Sequence, residues 1–597
     1  MGNRNETLVK LLPKAQAREE KVEGFQPESP RRIAFNVIGI AFVTTLLLAF
    51  VLLPRIPVLK WGETAPRDII APYTFYFEYQ GRDQRTISYR VEKGQLIAES
   101  GRRVSKKAAR ILGEIARREG IGSRLYGFVG LVTLILLMFF LFSRDIKRYR
   151  PEILYDARKV FLLAFLLLLT VIISLFSRSV FSLIADTFAL APATVAFALP
   201  VAAGAMLVCL LFDFHFAMVF SFAISILFGV LYRGDPFMPI YYFLGSIVGA
   251  LSVIQCQKRT AVLRAGALTG LVSLIAIVGI DLYTGVLLTR GVYDLGAGFI
   301  GATLITMMVS VSLPFFESIF DIATDIKLLE LLDPNQPLMK ELIYKSPGTY
   351  HHSILIGNLA EAAAESIGEN PLLARVGAYY HDVGKIRKPE YFIENQRPSE
   401  NKHDRLMPSM SGLIIASHVK DGVDIAREHK LPSTVADIIQ QHHGTSLITY
   451  FYQKAKELQP FTKIAEEDYR YPGPRPRNKV AAIVMLADAV EAASRTLDDP
   501  TPQRIQTLTN SVITRIFLDD QLSKCELTLK DLRVISRNFN LILNGIFHHR
   551  IDYPGMEFAG EKKRSDYPDK RQSEETKAGN GKDKVKAQGI THESRTS

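Results

Sequence analysis

The chain has 597 residues, of which 48% are hydrophobic and 22% are charged, and its formal net charge at pH 7 is +12. This composition is too apolar for a purely soluble protein, because the apolar residues concentrate between Ala34 and Phe320. Much of the positive charge lies in short loops beside apolar stretches, which is typical of membrane topology and argues against DNA or RNA as a partner.

Eight apolar stretches are long enough to cross a bilayer. The first, residues 34–53, follows a polar leader of residues 1–33 that is too long and too mixed for a cleaved signal peptide, so we interpret it as an anchor. The other seven predict a transmembrane bundle within residues 125–320. They are residues 126–142, 160–176, 192–212, 214–232, 237–254, 263–288 and 295–319.

Basic residues in the loops predict the orientation of the bundle. The loops that follow the second and the sixth span carry most of the loop lysines and arginines, and such loops face the cytoplasm. Eight crossings then place both termini in the cytoplasm and residues 54–124 outside. We therefore expect a multi-pass protein of the bacterial cell membrane.

The outer segment, residues 54–124, reads as a small α+β insert. TFYFEY is typical of a strand, and VEKGQLIAESG is typical of strand, turn and strand. An amphipathic helix follows from about Val104, with Ser105 as its cap. Its apolar face consists of Ala108, Ile111, Leu112 and Ile115. The sequence leaves open whether this insert binds an extracellular ligand.

One acidic residue, Asp281, falls near the outer end of the seventh span. An ionisable group inside a membrane span is a candidate functional residue. Its closeness to the interface favours a snorkelling or capping role instead.

After Phe320 the apolar residues recur at helical spacing within polar sequence, which predicts an all-α cytoplasmic domain with a linker helix, residues 321–556. Segments such as HSILIGNLAEAAAESIG and KVAAIVMLADAVEAASRTL indicate helices. The tail, residues 557–597, is charged and poor in apolar residues, so we expect it to be disordered.

Histidines and two acids mark a candidate metal site in this domain. One histidine lies near the start of a predicted helix, a His-Asp pair lies at the end of the next, and the other residues lie on three more helices. The combination is more telling than any single residue. The candidate ligands are His352, His381, Asp382, His418, His442, His443 and Asp488. Mixed nitrogen and carboxylate ligands suit borderline divalent metals, and a pair of such metals hydrolyses phosphate esters well.

The whole pattern resembles the HD hydrolase superfamily, and more narrowly the bacterial membrane family in which a seven-helix bundle precedes an HD domain. PgpH-type cyclic di-AMP phosphodiesterases belong to that family. The matching stretches are LLELLDPNQPLMKELIYKSPGTYHHS, HDVGKIRKPEYFIENQ, IIASHVKDG, QQHHGT and YRYPGPRPRNKVAAIVMLADAVEAASRTL. With the membrane half, the resemblance covers about residues 34–550.

This resemblance implies that all seven residues are metal ligands, that Asp382 bridges two divalent ions, and that the ions are manganese or iron. It implies hydrolysis of cyclic di-AMP to 5′-pApA. In the tandem at 351–352 the ligand role goes to His352. Two departures stand out: the outer segment is shorter than the family's, and Val480 replaces an expected glutamate.

Lys385 lies one turn beyond Asp382 and is the second candidate catalytic residue, placed to contact the scissile phosphate as a point cation. The alternative is a solvent-facing cation near a helix end. Four further histidines lie outside the matching pattern and are interpreted as surface residues. They are His403, His429, His548 and His549.

Other functions remain open at this stage. The domain could hydrolyse another nucleotide such as guanosine tetraphosphate, or it could be the ligand-binding domain of a receptor. A transporter is disfavoured because the spans lack evident paired acids. The sequence does not decide whether the chain forms a homo-oligomer.

Overall fold

The structure, a computed structural model, describes residues 59–547 apart from short gaps, together with scattered residues between 38 and 49. The gaps are residues 64, 66–68, 72–73, 81–85, 100–101, 119–120, 155, 189, 233–234, 255, 397–400 and 462–463. The predicted leader and the predicted disordered tail lie outside the described residues, and the first predicted span, 34–53, lies largely outside them. The described part is mostly helical, as predicted.

The outer segment has the expected mixture of short strands and one helix. Its two antiparallel pairs are Ile69–Ile70 with Leu96–Ala98 and Phe75–Gln80 with Thr86–Val91. The helix Lys106–Arg118 begins after Ser105, whose hydroxyl accepts a hydrogen bond from the backbone N–H of Ala108 at 3.0 Å. Its buried face consists of the four predicted residues, Ala108, Ile111, Leu112 and Ile115.

Among the described residues, six helical spans are long and apolar enough to cross a membrane, and a shorter apolar helix, Phe237–Val253, lies between the fourth and the fifth. The spans are Leu125–Tyr149, Ala157–Ala185, Pro192–Leu211, Phe214–Leu231, Arg259–Thr284 and Leu287–Phe320. Each of the seven predicted spans of the bundle falls on one of these segments. The first two spans lie within the longer helices Ile121–Tyr149 and Ala157–Phe188, with the short helix Pro151–Leu154 between them.

The third span is interrupted at Pro200, a helix-breaking residue that the prediction of one continuous span from apolar length did not take into account. It consists of helices Pro192–Phe197 and Ala202–Leu211. Two tyrosine hydroxyls from the neighbouring helix donate to carbonyls beside the break: Tyr241 to Phe197 at 3.0 Å and Tyr242 to Ala196 at 2.9 Å. Backbone groups freed by a break inside a membrane need such partners.

The C-terminal helical region, residues 325–546, contains no named strand within its described residues; one isolated bridge joins Leu447 and Arg470. Five 3-10 turns lie between its helices: Val383–Arg387, Pro389–Tyr391, Ile393–Asn395, Lys402–Arg405 and Glu466–Tyr469. Its α-helices are Asp325–Leu331, Pro337–Lys345, Pro347–Ser366, Pro371–Tyr380, Pro408–Glu428, Ser433–Gln441, Thr449–Leu458, Lys479–Ser494, Pro502–Leu518 and Leu529–Ile546.

The short helix Asp325–Leu331 joins the membrane bundle to this region. Ile326 belongs to the apolar core of the bundle, whereas Leu328 and Leu331 pack in the same core as Tyr380 and Val383. Because Tyr380 and Val383 flank His381 and Asp382, this core supports the candidate metal site directly.

Candidate metal centre

The seven predicted residues come together, carried by five segments of the C-terminal helical region. His352 lies in helix Pro347–Ser366, and His381 and Asp382 follow helix Pro371–Tyr380. His418 lies in helix Pro408–Glu428. His442 and His443 follow helix Ser433–Gln441, and Asp488 lies in helix Lys479–Ser494. Their ligand atoms form two groups, each within 4.8 Å: Asp382, His418, His442 and His443; and His352, His381 and Asp488.

Asp382 stands between the two groups. Its Oδ1 is 3.2 Å from His418 Nε2 and 3.6 Å from His442 Nε2. Its Oδ2 is 3.2 Å from His381 Nε2 and 3.7 Å from His352 Nε2. One oxygen therefore faces each group, which is the arrangement that a bridging carboxylate requires.

The second acid, Asp488, also faces both groups, though less closely on one side. Its Oδ1 is 3.0 Å from His352 Nε2 and 3.8 Å from His381 Nε2. Its Oδ2 is 3.6 Å from His443 Nδ1. The two carboxylates thus bring negative charge to a centre otherwise lined by imidazoles.

The backbone sets the tautomers of three imidazoles. The Nδ1 atoms of His381, His418 and His442 lie 2.7, 2.6 and 2.7 Å from the carbonyl oxygens three residues earlier in the chain. A carbonyl only accepts, so each Nδ1 carries the proton and, in the neutral ring, each Nε2 presents a lone pair to the centre. Such outer partners orient histidines that bind metals.

These lone pairs indicate a cation. His418 Nε2 and His442 Nε2 are 3.2 Å apart, and two lone pairs facing each other at that distance repel. Among the described residues, His381 Nε2 and Asp382 Oδ1 are buried without a hydrogen-bond partner. Buried polar atoms normally have partners, so the donor set fits bound divalent metal.

Burial keeps two of the imidazoles neutral. It lowers the pKa of His442 to about 4. Burial and the neighbouring His442 also hold the pKa of His443 well below its ordinary range. Neutral imidazole is the form that binds metals.

The acids and His352 behave differently. Burial alone would raise the pKa of Asp382, but His381 and Lys385 outweigh it and hold that pKa well below its usual range. Burial alone would lower the pKa of His352, but hydrogen bonds to Asp488 and Glu491 raise it to about 9. Since metal ligands must be deprotonated, metal would displace that proton from His352.

Lys385 is not the solvent-facing cation of the alternative interpretation. Its side chain is 12% exposed, and its Nζ lies 2.6 Å from Asp382 Oδ2 and 2.8 Å from Glu394 Oε1. Burial lowers the pKa of Lys385, but these two carboxylates outweigh it and raise the pKa above its usual range. Lys385 is therefore a charged group at the edge of the centre.

Sequence reasoning missed the residues that orient the centre. Glu491 accepts a hydrogen bond from His352 Nδ1 at 2.7 Å, and its position three residues after Asp488 on one helix was a usable signal. Glu394 holds Lys385, and Asn395 accepts from the N–H of Gly348 at 2.9 Å at the start of the helix that carries His352. Nothing in the sequence near 394–395 indicated these contacts.

Two further expectations have clear outcomes. His352 is buried and His351 is exposed, as expected from the assignment of the ligand role to the second histidine of the tandem. The interpretation of His403 as a surface residue is wrong, because it is 6% exposed and its Nε2 lies 2.8 Å from the carbonyl of Tyr391. His429 is exposed. His548 and His549 lie outside the described residues.

A glycine after Asp382 allows two backbone segments to meet. A Cβ added at Gly384 would lie 1.9 Å from the carbonyl oxygen of His418 and 2.5 Å from the amide nitrogen of Gly422. We expect Gly384→Ala to lower the free energy of unfolding by about 1–3 kcal/mol and to reduce bound metal, because the Asp382 and His418 segments must separate. Thermal unfolding and metal content would measure both effects.

Gly545→Ala is the matched control, since nothing lies within 4 Å of a Cβ at that position. It should leave the metal content unchanged and should not lower the unfolding temperature, because alanine is favoured over glycine in a helix. Equal behaviour of the two variants would contradict the close approach at Gly384.

Comparisons with known proteins agree with this architecture. A family model described as "7TM receptor with intracellular HD hydrolase" matches residues 125–324, and the HD domain model matches residues 349–493. The chain is 34% identical over 508 residues to the cyclic-di-AMP phosphodiesterase PgpH of Bacillus subtilis (strain 168), which is 82% of this chain and 68% of that protein.

It is likewise 34% identical over 483 residues to the cyclic-di-AMP phosphodiesterase PgpH of Listeria monocytogenes serotype 1/2a (strain 10403S), which is 79% of this chain and 65% of that protein. The chain thus spans about two thirds of the length of these two relatives. A crystal structure of the L. monocytogenes PgpH HD domain in complex with cyclic-di-AMP is 49% identical, covers 36% of this chain and 100% of that domain, and has a TM-score of 0.35.

Proposed function

This chain belongs to the family of membrane proteins that combine a seven-helix bundle with an intracellular HD hydrolase domain, and on that basis we propose that it is a membrane-anchored phosphodiesterase that hydrolyses cyclic di-AMP to 5′-pApA. The substrate is proposed from the two PgpH relatives. The observation that supports the chemistry is the position of Asp382, one oxygen of which faces each of two ligand groups. The HD domain then faces the cytoplasm.

We propose that the two groups hold two divalent ions, manganese or iron, with Asp382 shared between them. When bound, such ions supply a nucleophile from water at neutral pH and positive charge for the phosphoryl oxygens. The residues of the chain orient the ligand atoms. The carbonyls behind His381, His418 and His442 keep their Nε2 atoms aimed inward, and Glu491 does the same for His352.

Lys385 is the proposed phosphate contact. Glu394 holds its ammonium group beside Asp382, and Glu394 is itself positioned through Thr349, whose hydroxyl donates to Glu394 Oε1 at 3.1 Å. A charged lysine fixed at the edge of the centre can attract the anionic substrate and stabilise charge on a non-bridging oxygen. It gains no proton and loses none during the reaction.

The test of this function is turnover by the purified full chain in detergent with Mn²⁺, using cyclic di-AMP and guanosine tetraphosphate in parallel. We expect 5′-pApA from cyclic di-AMP and much slower turnover of the guanosine nucleotide. Preferential turnover of guanosine tetraphosphate would overturn the proposed substrate. Binding of cyclic di-AMP without any product would instead favour a receptor.

Glu491 is predicted to orient His352 without binding metal itself. It is 3% exposed and also pairs with Arg495 Nη2 at 2.7 Å, so its carboxylate is held on both sides. We expect Glu491→Gln to weaken the apparent affinity for Mn²⁺ about 10–100-fold, because the amide is a weaker acceptor for His352 Nδ1–H. A Mn²⁺ titration of turnover measures this.

The exposed Glu365, on the same helix as His352, offers the control Glu365→Gln. The turnover of this variant should depend on the Mn²⁺ concentration in the same way as that of the unmodified chain. If Glu491→Gln did so too, Glu491 would have no role in orienting His352.

A further inference from the structure

Two aspartates are buried inside the membrane bundle, remote from the metal centre. Asp281 lies near the end of helix Arg259–Thr284, and Asp294 lies in the second turn of helix Leu287–Phe320. Both are 0% exposed. The expectation that Asp281 snorkels or caps a helix is therefore wrong, because its side chain is enclosed between helices.

The partners of the two carboxylates are unequal. Asp294 Oδ1 accepts a hydrogen bond from the hydroxyl of Thr194, and its Oδ2 accepts one from Arg290 Nε at 2.9 Å. Among the described residues, neither carboxylate oxygen of Asp281 has a hydrogen-bond partner, and both are buried. Asp281 interacts electrostatically with Asp294 and Arg290.

Among the described residues, the cluster of Asp281, Asp294 and Arg290 has one excess negative charge when both acids are ionised. Arg290 forms an ion pair with Asp294, whereas it acts on Asp281 only electrostatically, without a direct contact. An isolated ionised carboxylate is very costly inside an apolar interior, and acids within membrane spans are usually paired. Either a proton on one carboxylate or a bound monovalent cation would restore neutrality.

The surrounding atoms define the class of ligand. The carboxylates of Asp281 and Asp294 and the hydroxyl of Thr194 offer oxygen only, which suits hard cations. Thr194 belongs to the short helix Pro192–Phe197 of the interrupted span, and such discontinuous helices contribute to ion sites in membrane proteins. We propose that these three residues form a binding site for a small monovalent metal cation such as Na⁺.

The test is thermal unfolding of the purified full chain in detergent, at constant pH and ionic strength. The reference sample contains the large cation N-methyl-D-glucamine, and Na⁺, K⁺ or Li⁺ replaces it in three separate samples. We expect at least one of the three to raise the melting temperature by about 3 °C or more. In Asp281→Asn the response should disappear, and the melting temperature without the small cation should rise because the excess charge is gone.

Asp213→Asn is the matched control. Asp213 caps helix Phe214–Leu231, accepting from the N–H of Phe216 at 3.0 Å, so its loss should lower the melting temperature but keep the response to the cation. The proposal is overturned if none of the three cations stabilises the chain, if stability responds to pH alone, or if Asp281→Asn and Asp213→Asn respond alike.

A separate set of contacts at the other end of the same two helices supports a second inference. Arg259, the first residue of helix Arg259–Thr284, binds Glu330 through Nε at 2.7 Å and through Nη2 at 3.0 Å. The same Nη2 donates to Glu317 Oε2 at 2.9 Å. Arg259 thus ties two membrane helices to the linker helix Asp325–Leu331.

That linker helix is bonded to the segment that carries the metal ligands. The hydroxyl of Tyr380 donates to the carbonyl of Leu331 at 2.7 Å, and His381 and Asp382 follow Tyr380 directly. A second tie comes from Asp321, directly after the last membrane helix: its Oδ1 accepts from the N–H of Ser433 at 3.1 Å, and Ser433 begins the helix Ser433–Gln441 that precedes His442. Displacement of the linker helix or of the end of the last membrane helix would therefore reach metal ligands.

We infer that Arg259 is a positioning residue for the HD domain, an inference that rests on the proposed phosphodiesterase activity. In the full chain, Arg259→Ala should lower kcat for cyclic di-AMP about 10-fold or more, with KM and metal content little changed. Glu330→Gln should do the same, and the double variant should be no worse than either single one.

Arg264→Ala is the control, since Arg264 is an exposed residue of the same helix. It should keep kcat. Unchanged kcat in Arg259→Ala, or a change in KM alone, would overturn the inference while the activity of the unmodified chain stands. An unmodified chain without activity would instead overturn the proposed function.

Discussion

Asp382→Ala is expected to abolish turnover of cyclic di-AMP, with a loss of at least about 1,000-fold in kcat. Asp382 is 1% exposed, and its two oxygens face different ligand groups. Without it, the imidazoles and Lys385 would face one another with less negative charge between them. Two cations could then no longer share one carboxylate, so we expect metal content to fall as well. Turnover and metal analysis on one sample measure both effects.

The membrane bundle should survive this change, because Asp382 lies in the C-terminal helical region, but that region should lose stability, since Lys385 would keep only Glu394 of its two described ion-pair partners. Insertion into the membrane should still be normal, and Asp382→Asn, which keeps the volume, should be equally inactive. Asp499→Asn alters a largely exposed acid that pairs with Arg504 at 3.2 Å and should retain full activity. Normal turnover in Asp382→Ala would refute the bridging role.

Removal of metal is expected to have an effect of similar size. Chelation should abolish activity, and Mn²⁺ or Fe²⁺ should restore it, because the buried Nε2 of His381 and Oδ1 of Asp382 have no hydrogen-bond partner among the described residues. The stripped protein should also unfold at a lower temperature, since the lone pairs of His418 and His442, 3.2 Å apart, would lose the charge that holds them together.

Metal analysis of the reconstituted chain should find two ions per chain. His418→Ala should retain fewer, whereas His429→Ala, which alters an exposed histidine, should retain two. Activity in protein from which all bound metal has been removed would contradict the proposed chemistry. One ion per fully active chain would contradict the binuclear arrangement.

Much of the local structure could be predicted from the sequence, because its causes are local. Apolar length alone identified the stretches that form six long apolar spans and one shorter apolar helix among the described residues, and helical spacing identified the amphipathic face of Lys106–Arg118 with its Ser105 cap. The seven candidate ligands were recognisable because histidines and aspartates of the types that bind divalent metals recur on five helical segments of one domain. Membership of the family is carried by the same motifs.

Other features depended on which helices meet, and no local pattern contains that information. Pro200 marks the break within residues 192–211 in the sequence, but the tyrosines that satisfy its carbonyls come from another helix, and only the tertiary structure identifies them. Glu394 and Asn395 lie in a segment of unremarkable composition, yet they hold Lys385 and the start of the helix with His352. His403 looked like a surface residue but is buried.

The sequence by itself determined the membrane bundle, the helical C-terminal region and the kinds of ligand available, because hydrophobic length, helical period and side-chain chemistry are properties of short segments. Only the tertiary structure decided how those ligands divide around Asp382, which lone pairs face inward, and that Asp281 is enclosed beside Asp294 instead of reaching the membrane surface. These outcomes arise from distances between residues far apart in the chain, where packing and electrostatics act through space.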